Sequence, residues 1–274
     1  MAKLPQCKTL LLREEGSRLY VTINRPEAKN AITAEVVSEL SAVCEAIADD
    51  RTIRTLILRG AEGTFCAGGD IKGFQKSFSS PAPAEGEPDP IAVNNRTFGD
   101  FMIAFNSLPQ TVVGVIEGAA YGGGLGLVCV TDIAICMKDT RFALSETGLG
   151  IPPAQIAPFV VQRVGITNAR RIALSGQRFD GRYAKELGLV HFVADDTEEL
   201  ETILKKVLND IGRCAPGADA ATKKILLDSL TRPLAEVLDD ASVAFATQLR
   251  GPEGQEGVKA FLEKRPAAWV EKIE

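Results

Sequence analysis

Apolar and polar positions follow two rhythms along the first half of this chain. Thr9 to Leu12 and Leu19 to Ile23 are short apolar-rich runs separated by Glu15-Gly16, which predicts two strands joined by a tight turn. From Ala34 to Ala48 apolar residues recur at helical spacing behind Thr33, which predicts a helix capped by that threonine. Thr55 to Arg59 reads as a strand and Ile91 to Leu108 as a helix. Thr111 to Ile116 and Asp132 to Cys136 read as buried strands. Between these two strands lie the run Gly118-Ala119-Ala120-Tyr121-Gly122-Gly123-Gly124 and an apolar helix from Leu125 to Val130.

Beyond Pro152 the strand patterns fade. Helical spacing predicts helices at Ala154 to Arg163, Asn168 to Leu174, Arg182 to Leu187, Thr197 to Ile211, Ala218 to Ser229, Leu234 to Leu249 and Gly254 to Glu263. Phe101, Phe105, Phe159 and Phe261 fall at spacings expected of core residues. Ser79 to Pro90, rich in Pro, Ser, Ala and Glu, reads as a loop or lid. No heptad array and no simple repeat is present. The expected fold class is α/β: a core over residues 1–195 and a helical region over 196–274.

Composition narrows the partners. Of 274 residues, 45% are hydrophobic, enough for a sizeable core, and the net charge is −5, which disfavours nucleic acid as a main partner. The first residues show no apolar leader, and no apolar run is long enough to span a bilayer. Six scattered cysteines without a CxxC pair read as reduced thiols of a cytoplasmic protein, and with the single His191 they offer no zinc-ligand spacing, so no metal site is expected.

Candidate chemistry begins at the glycine run. Consecutive glycines at a strand-to-helix junction remove Cβ atoms from the approach and bring backbone N–H groups and a helix N-terminus to one place. Such a place can hold an anion or a carbonyl oxygen that is becoming negative. A tight turn with close helix packing is the alternative reading. A second glycine turn, Cys66-Ala67-Gly68-Gly69-Asp70, lies upstream.

Four segments carry a family resemblance: Asn24-Arg25-Pro26-Glu27-Ala28-Lys29-Asn30-Ala31, Phe65 to Ile71, Gly118 to Gly124 followed by Asp132 to Ile135, and Phe142 to Pro152 with Glu146 inside it. In this order they resemble the crotonase superfamily of enoyl-CoA hydratases and isomerases. The resemblance implies a spiral of ββα turns, C-terminal helices that build a homotrimer or dimer of trimers, and an acyl-CoA thioester as substrate. CoA is then part of the substrate, and neither a metal nor a redox cofactor is implied. By motif position, Gly69 and Gly123 would donate their amides to the thioester oxygen. Glu146 would be the acid/base, where the alternative is an ordinary acid in a first helical turn. Arg25, Glu27, Ala28, Lys29, Ala67, Asp70 and Ile71 would line the path of the CoA moiety, with Lys72 a weaker addition. Arg25 and Lys29 read equally as solvated charges.

One position departs from the pattern. Two-glutamate members of the superfamily carry a second glutamate where this chain has Gly126. Its absence brings a one-base 3-enoyl to 2-enoyl isomerase into contention, or a non-catalytic CoA-ester-binding subunit, and a glycine there would leave room for a branched acyl chain. Tyr121, Gln155 and Glu117 are helpers by neighbourhood only. Leu149 to Val161, Ala169-Arg170-Arg171 and Leu187 to His191 are similar to the branch that hydrates isohexenylglutaconyl-CoA or 3-methylglutaconyl-CoA, and the tail leans toward the former, terpene-degrading type. Those substrates carry a free carboxylate, for which Arg163, Arg170 and Arg171 are available.

Overall fold

The structure is a computed structural model, and it describes residues 3–77, 79 and 82–273. Its strands are β1 (Leu10–Glu15), β2 (Arg18–Ile23), β3 (Thr55–Gly60), β4 (Thr111–Ile116), β5 (Ala119–Tyr121), β6 (Ile133–Met137), β7 (Arg141–Ala143), β8 (Arg178–Phe179) and β9 (Phe192–Ala194). Its helices are α1 (Ala34–Ile47), α2 (Ile71–Ser77), α3 (Pro90–Asn106), α4 (Gly123–Cys129), α5 (Ala157–Ser175), α6 (Gly181–Glu186), α7 (Thr197–Ile211), α8 (Pro216–Asp228), α9 (Leu234–Arg250) and α10 (Pro252–Leu262). The expected hairpin forms, with Glu15 opposite Arg18 and Gly16 at φ 59° in the turn. Thr33 Oγ1 accepts from the Val36 N–H and starts α1 as expected.

Six strands form one sheet in the order β1-β2-β3-β4-β6-β9, and β5-β7-β8 form a second. Apart from the β1/β2 hairpin the large sheet is parallel. Consecutive strands alternate between the sheets: β4 is followed by β5 and α4, and β6 by β7 and α5. After β3, Cys66 makes a bridge to Ala120 of β5 before α2 and α3. Each turn of the chain is therefore strand, short strand, helix, and the turns stack into the expected spiral. The repeat is one of geometry, which is why no sequence period announces it.

Both faces of the large sheet are covered, as a parallel sheet requires. One face, with Leu56, Leu58, Val112 and Ile116, packs into the main core under α1, α3, α4 and α5. The other, with Ile57, Val113, Val115 and Ile135, packs against Leu200, Leu204, Val207, Leu208 and Ile211 of α7. Burying each such side chain contributes about 1.5–3 kcal/mol. So α7, expected in the C-terminal region that begins at 196, completes the sheet core, and the change to loosely buried helices comes after Ile211.

Among the described residues, α8 buries none of its own, α9 only Val237 and α10 only Ala260. Phe261, expected in the core, is 83% exposed, while Phe101 and Phe105 are buried as expected and Phe159 is half-buried. The helix spacing around Phe261 is real, but among the described residues the face that carries Phe261 stays exposed. Two expected helices, Ala154 to Arg163 and Asn168 to Leu174, are halves of α5, broken by Gly165 at φ 72°. The loop expected from Ser79 to Pro90 includes Ser80 and Pro81, which lie outside the described residues; Ala82 to Asp89 form no helix or strand. All six cysteines are free thiols, and burial pushes Cys44, Cys66, Cys129 and Cys136 up to about 12. Among the described residues no helix is long and apolar enough to cross a membrane.

Candidate active site

The four motif segments hang from one another as rungs of backbone hydrogen bonds. Buried Asn30 fixes the first: its Oδ1 accepts from the Arg25 N–H at 2.8 Å, and its Nδ2 donates to Ala61 O at 2.9 Å and Thr64 O at 2.5 Å. The first joins the second through Ala67 N–H to Lys29 O, Ile32 N–H to Gly68 O and Asp70 N–H to Ile32 O, at 2.8–3.0 Å. The second joins the third through Cys66 N–H to Ala119 O and Tyr121 N–H to Cys66 O. The third joins the fourth through Gly122 N–H to Ala143 O at 2.9 Å.

This ladder sets the two amides. Ile32 is bonded to Gly68 and Asp70, the residues on either side of Gly69, so the Gly69 N–H points to the opposite side of its strand. Gly123 is the first residue of α4, where an N–H has no acceptor within its helix. Ile32 lies between them: a Cβ on Gly123 would meet Ile32 Cδ1 at 3.0 Å. Gly124 packs on Cys66, where a Cβ would come within 2.6 Å of the carbonyl oxygen. The two bends thus share one locality, walled by Phe98 of α3 near Gly123 and by Phe74 of α2, whose ring edge lies 2.8 Å from a Cβ placed on Gly69.

Glu146 follows β7 in a single 3-10 turn, Glu146–Leu149. Its Oε2 is buried and has no hydrogen-bond partner among the described residues. Burial pushes its carboxyl above the usual range, against a smaller pull from the main-chain N–H groups of Glu146 and Ser145. The carboxyl lies against the Gly122 Cα, where a Cβ would meet Oε1 at 2.5 Å. The alternative of a plain first-turn acid fits less well, since the Ser145 side chain makes no cap bond and Thr147 Oγ1 donates instead to Ala173 O. A buried carboxyl with an open Oε2, beside the glycine run that presents the Gly123 amide, can move a proton next to an oxygen whose charge that amide stabilises.

The place of the missing second glutamate is not open space. A Cβ on buried Gly126 would come within 2.4 Å of Ile156 Cγ2 and 3.6 Å of Met102 Cε. The expected extra room is taken by Ile156. Of the suggested helpers, Glu117 pairs with Arg59 at 3.1 Å and Gln155 Nε2 donates to Asn95 Oδ1 at 2.9 Å.

The remaining predicted residues fall into two groups. Arg25, Glu27, Ala28, Lys29, Ala67, Asp70 and Ile71 lie on the two bonded segments that lead to Gly69. Arg25 Nη1 donates to Ala31 O at 2.6 Å, whereas Glu27, Lys29, Ile71 and Lys72 are exposed. Asp70 Oδ1 accepts from the Lys72 N–H and starts α2. Of the suggested carboxylate cations, Arg163 donates from Nε to Leu189 O and from Nη1 to Thr131 O, while its buried Nη2 meets no partner among the described residues. Arg171 stacks over Tyr183, and His191 Nδ1 accepts from the Ala134 N–H. Phe74 and Phe98 were not anticipated; Ile71 and Phe74 at helical spacing behind Asp70 were the available signal for α2.

The profile of the enoyl-CoA hydratase/isomerase family matches residues 13–272. AtuE of Pseudomonas aeruginosa is 48% identical, covers 96% of this chain and 100% of its own, and superposes with a TM-score of 0.92. An enoyl-CoA hydratase/isomerase from Marinobacter aquaeolei is 46% identical over 97% of this chain and 100% of its own, with a TM-score of 0.93. The mitochondrial methylglutaconyl-CoA hydratase of Mus musculus is 30% identical over 93% of this chain and 80% of the mouse protein.

Proposed function

The chain belongs to the enoyl-CoA hydratase/isomerase family, and from that premise we propose that it adds water to a branched glutaconyl-type 2-enoyl-CoA, of the isohexenylglutaconyl or 3-methylglutaconyl kind. The Gly69 and Gly123 amides hold the thioester oxygen as the enolate forms. Glu146 takes the proton from water as it attacks the β-carbon and returns a proton to the α-carbon. No electron or hydride moves, so the reaction calls for no redox cofactor. The observation that carries this reading is the buried, unpartnered Oε2 of Glu146 beside the glycine run that presents Gly123. Arg25, Glu27, Ala28, Lys29, Ala67, Asp70 and Ile71 take the CoA portion. Likeness to the methylglutaconyl-CoA hydratase supports the acyl class.

Loss of conjugated-thioester absorbance with these esters, together with solvent oxygen in the product, tests hydration. Turnover without solvent oxygen would instead fit the second reading, a 3-enoyl to 2-enoyl isomerase. That reading is favoured by Gly126 and Ile156, which leave Glu146 to act without a carboxylate at the second position.

The same reading includes a homotrimer or dimer of trimers in the cytoplasm. Its support is the exposed apolar face of α8–α10, with Leu226, Leu238, Phe245, Phe261 and Leu262 each at least 60% exposed.

A further inference from the structure

The wall of the site changes character over one turn of α3. Met102 and Phe98 present carbon to Gly126 and Gly123. Gly99, buried between them, lets a polar group lie on the helix: a Cβ there would meet Gln155 Oε1 at 2.0 Å and Arg96 Nη1 at 2.9 Å. Gln155 directly precedes Ile156, the residue that fills the space over Gly126. Its Nε2 bonds to Asn95 Oδ1 at 2.9 Å and so ties α3 to the segment after Glu146. Arg96 Nη1 pairs with Asp100 at 2.6 Å, with both side chains more than half exposed. Among the described residues the Asn95 amide donors and Arg96 Nε meet no acceptor. Amide and guanidinium donors from two elements therefore gather one turn from the apolar floor.

We propose that Asn95, Arg96 and Gln155 form a subsite for a carboxylate at the far end of the acyl chain, selecting dicarboxylic over plain enoyl thioesters. This rests on the enoyl thioester reading above. Gly99, over which Gln155 Oε1 and Arg96 Nη1 meet, is the neighbour of Phe98, which stands beside Gly123, so the polar cluster adjoins the wall of the glycine turns. Arg96 offers a planar fork that matches a carboxylate. Its pair with Asp100 is an exposed i,i+4 contact of the weak kind, so a substrate carboxylate exchanges for Asp100 at little cost. Asp100 is the competing anion, and its removal should favour substrate.

The test measures kcat/KM for 3-methylglutaconyl-CoA and for the same thioester with its free carboxyl methylated, and reads the acid-to-ester ratio. Arg96→Met and Gln155→Glu should each lower that ratio about tenfold or more, while Asp100→Asn should raise it. Ratios within about threefold of wild type in both Arg96→Met and Gln155→Glu would overturn the subsite. Equal wild-type turnover of acid and ester would also overturn it, and would leave hydration intact. Turnover of neither thioester would overturn hydration of this acyl class and the subsite with it.

Discussion

The Cα of Gly122 and the carboxyl of Glu146 are in direct apposition, with Oε1 2.5 Å from where any Cβ on residue 122 would stand. Gly122 also has φ 48°, a region that L side chains rarely adopt. Gly122→Ala therefore displaces the carboxyl and strains the turn together. Turnover should fall about a hundredfold, since misplacing a reacting group by about 1 Å costs that much. Steady-state kinetics beside a circular-dichroism melt will separate this from unfolding.

Glu146→Gln should lower turnover by a factor of about 10²–10⁴, the usual contribution of a positioned acid/base. Its effect on stability has a defined sign. The folded carboxyl titrates above its unfolded value because of burial. As pH rises between the two values the unfolded chain releases its proton first, so wild-type stability falls across that window. Glutamine does not titrate. The variant should melt higher than wild type at neutral pH, and the gain should shrink as pH falls from the folded toward the unfolded value and vanish below it. Melting curves at several pH values provide the measurement.

Gly126→Ala should destabilise by about 1–3 kcal/mol, the usual cost of overpacking, because the new methyl would meet Ile156 at 2.4 Å. Adding Ile156→Ala should recover part of that loss. Chemical denaturation of the two single variants and the double variant reports the coupling.

Asn30→Ala removes three hydrogen bonds, one that closes the first motif on Arg25 N–H and two that hold it to Ala61 O and Thr64 O. A loss of about 1–3 kcal/mol is expected for the buried polar groups left unpaired. Activity should drop at temperatures where the fold persists, because Lys29 O and Ile32 carry the bonds that orient Gly69. Rate and melt measured on one preparation test the pair of effects.

Phe261→Asp combined with Leu238→Asp should shift the protein toward monomer in sedimentation equilibrium. Both residues are exposed, so the folded chain itself should keep its circular-dichroism spectrum. An unchanged mass would remove α9 and α10 from the assembly surface.

Much of the fold was legible in the chain. Thr33, the hairpin turn and the bounds of β4 and α7 are written in local pattern, where side-chain periodicity and capping decide the outcome. β5, β7 and β9 were not found, because strands of three residues are too short to show a period and form only when their neighbours offer edges. The motif order pointed to Gly69, Gly123 and Glu146, but spacing carries no information on what fills the gap at Gly126. Ile156 reaches it from thirty residues away. Phe261 shows the complementary limit: helical spacing marks an apolar face without saying whether its partner lies in the same chain.

The rungs from Lys29 to Ala143 are main-chain contacts, and the surfaces toward α3 and Ile156 are side-chain contacts. Under the proposed function, thioester activation and choice of acyl group therefore rest on different materials. Exchanging residues on α3 could retune which chains are accepted while the grip on the carbonyl stays as it was. Redesign for a new ester has a natural starting place there, on a helix that the oxygen-binding turns do not depend on for their shape.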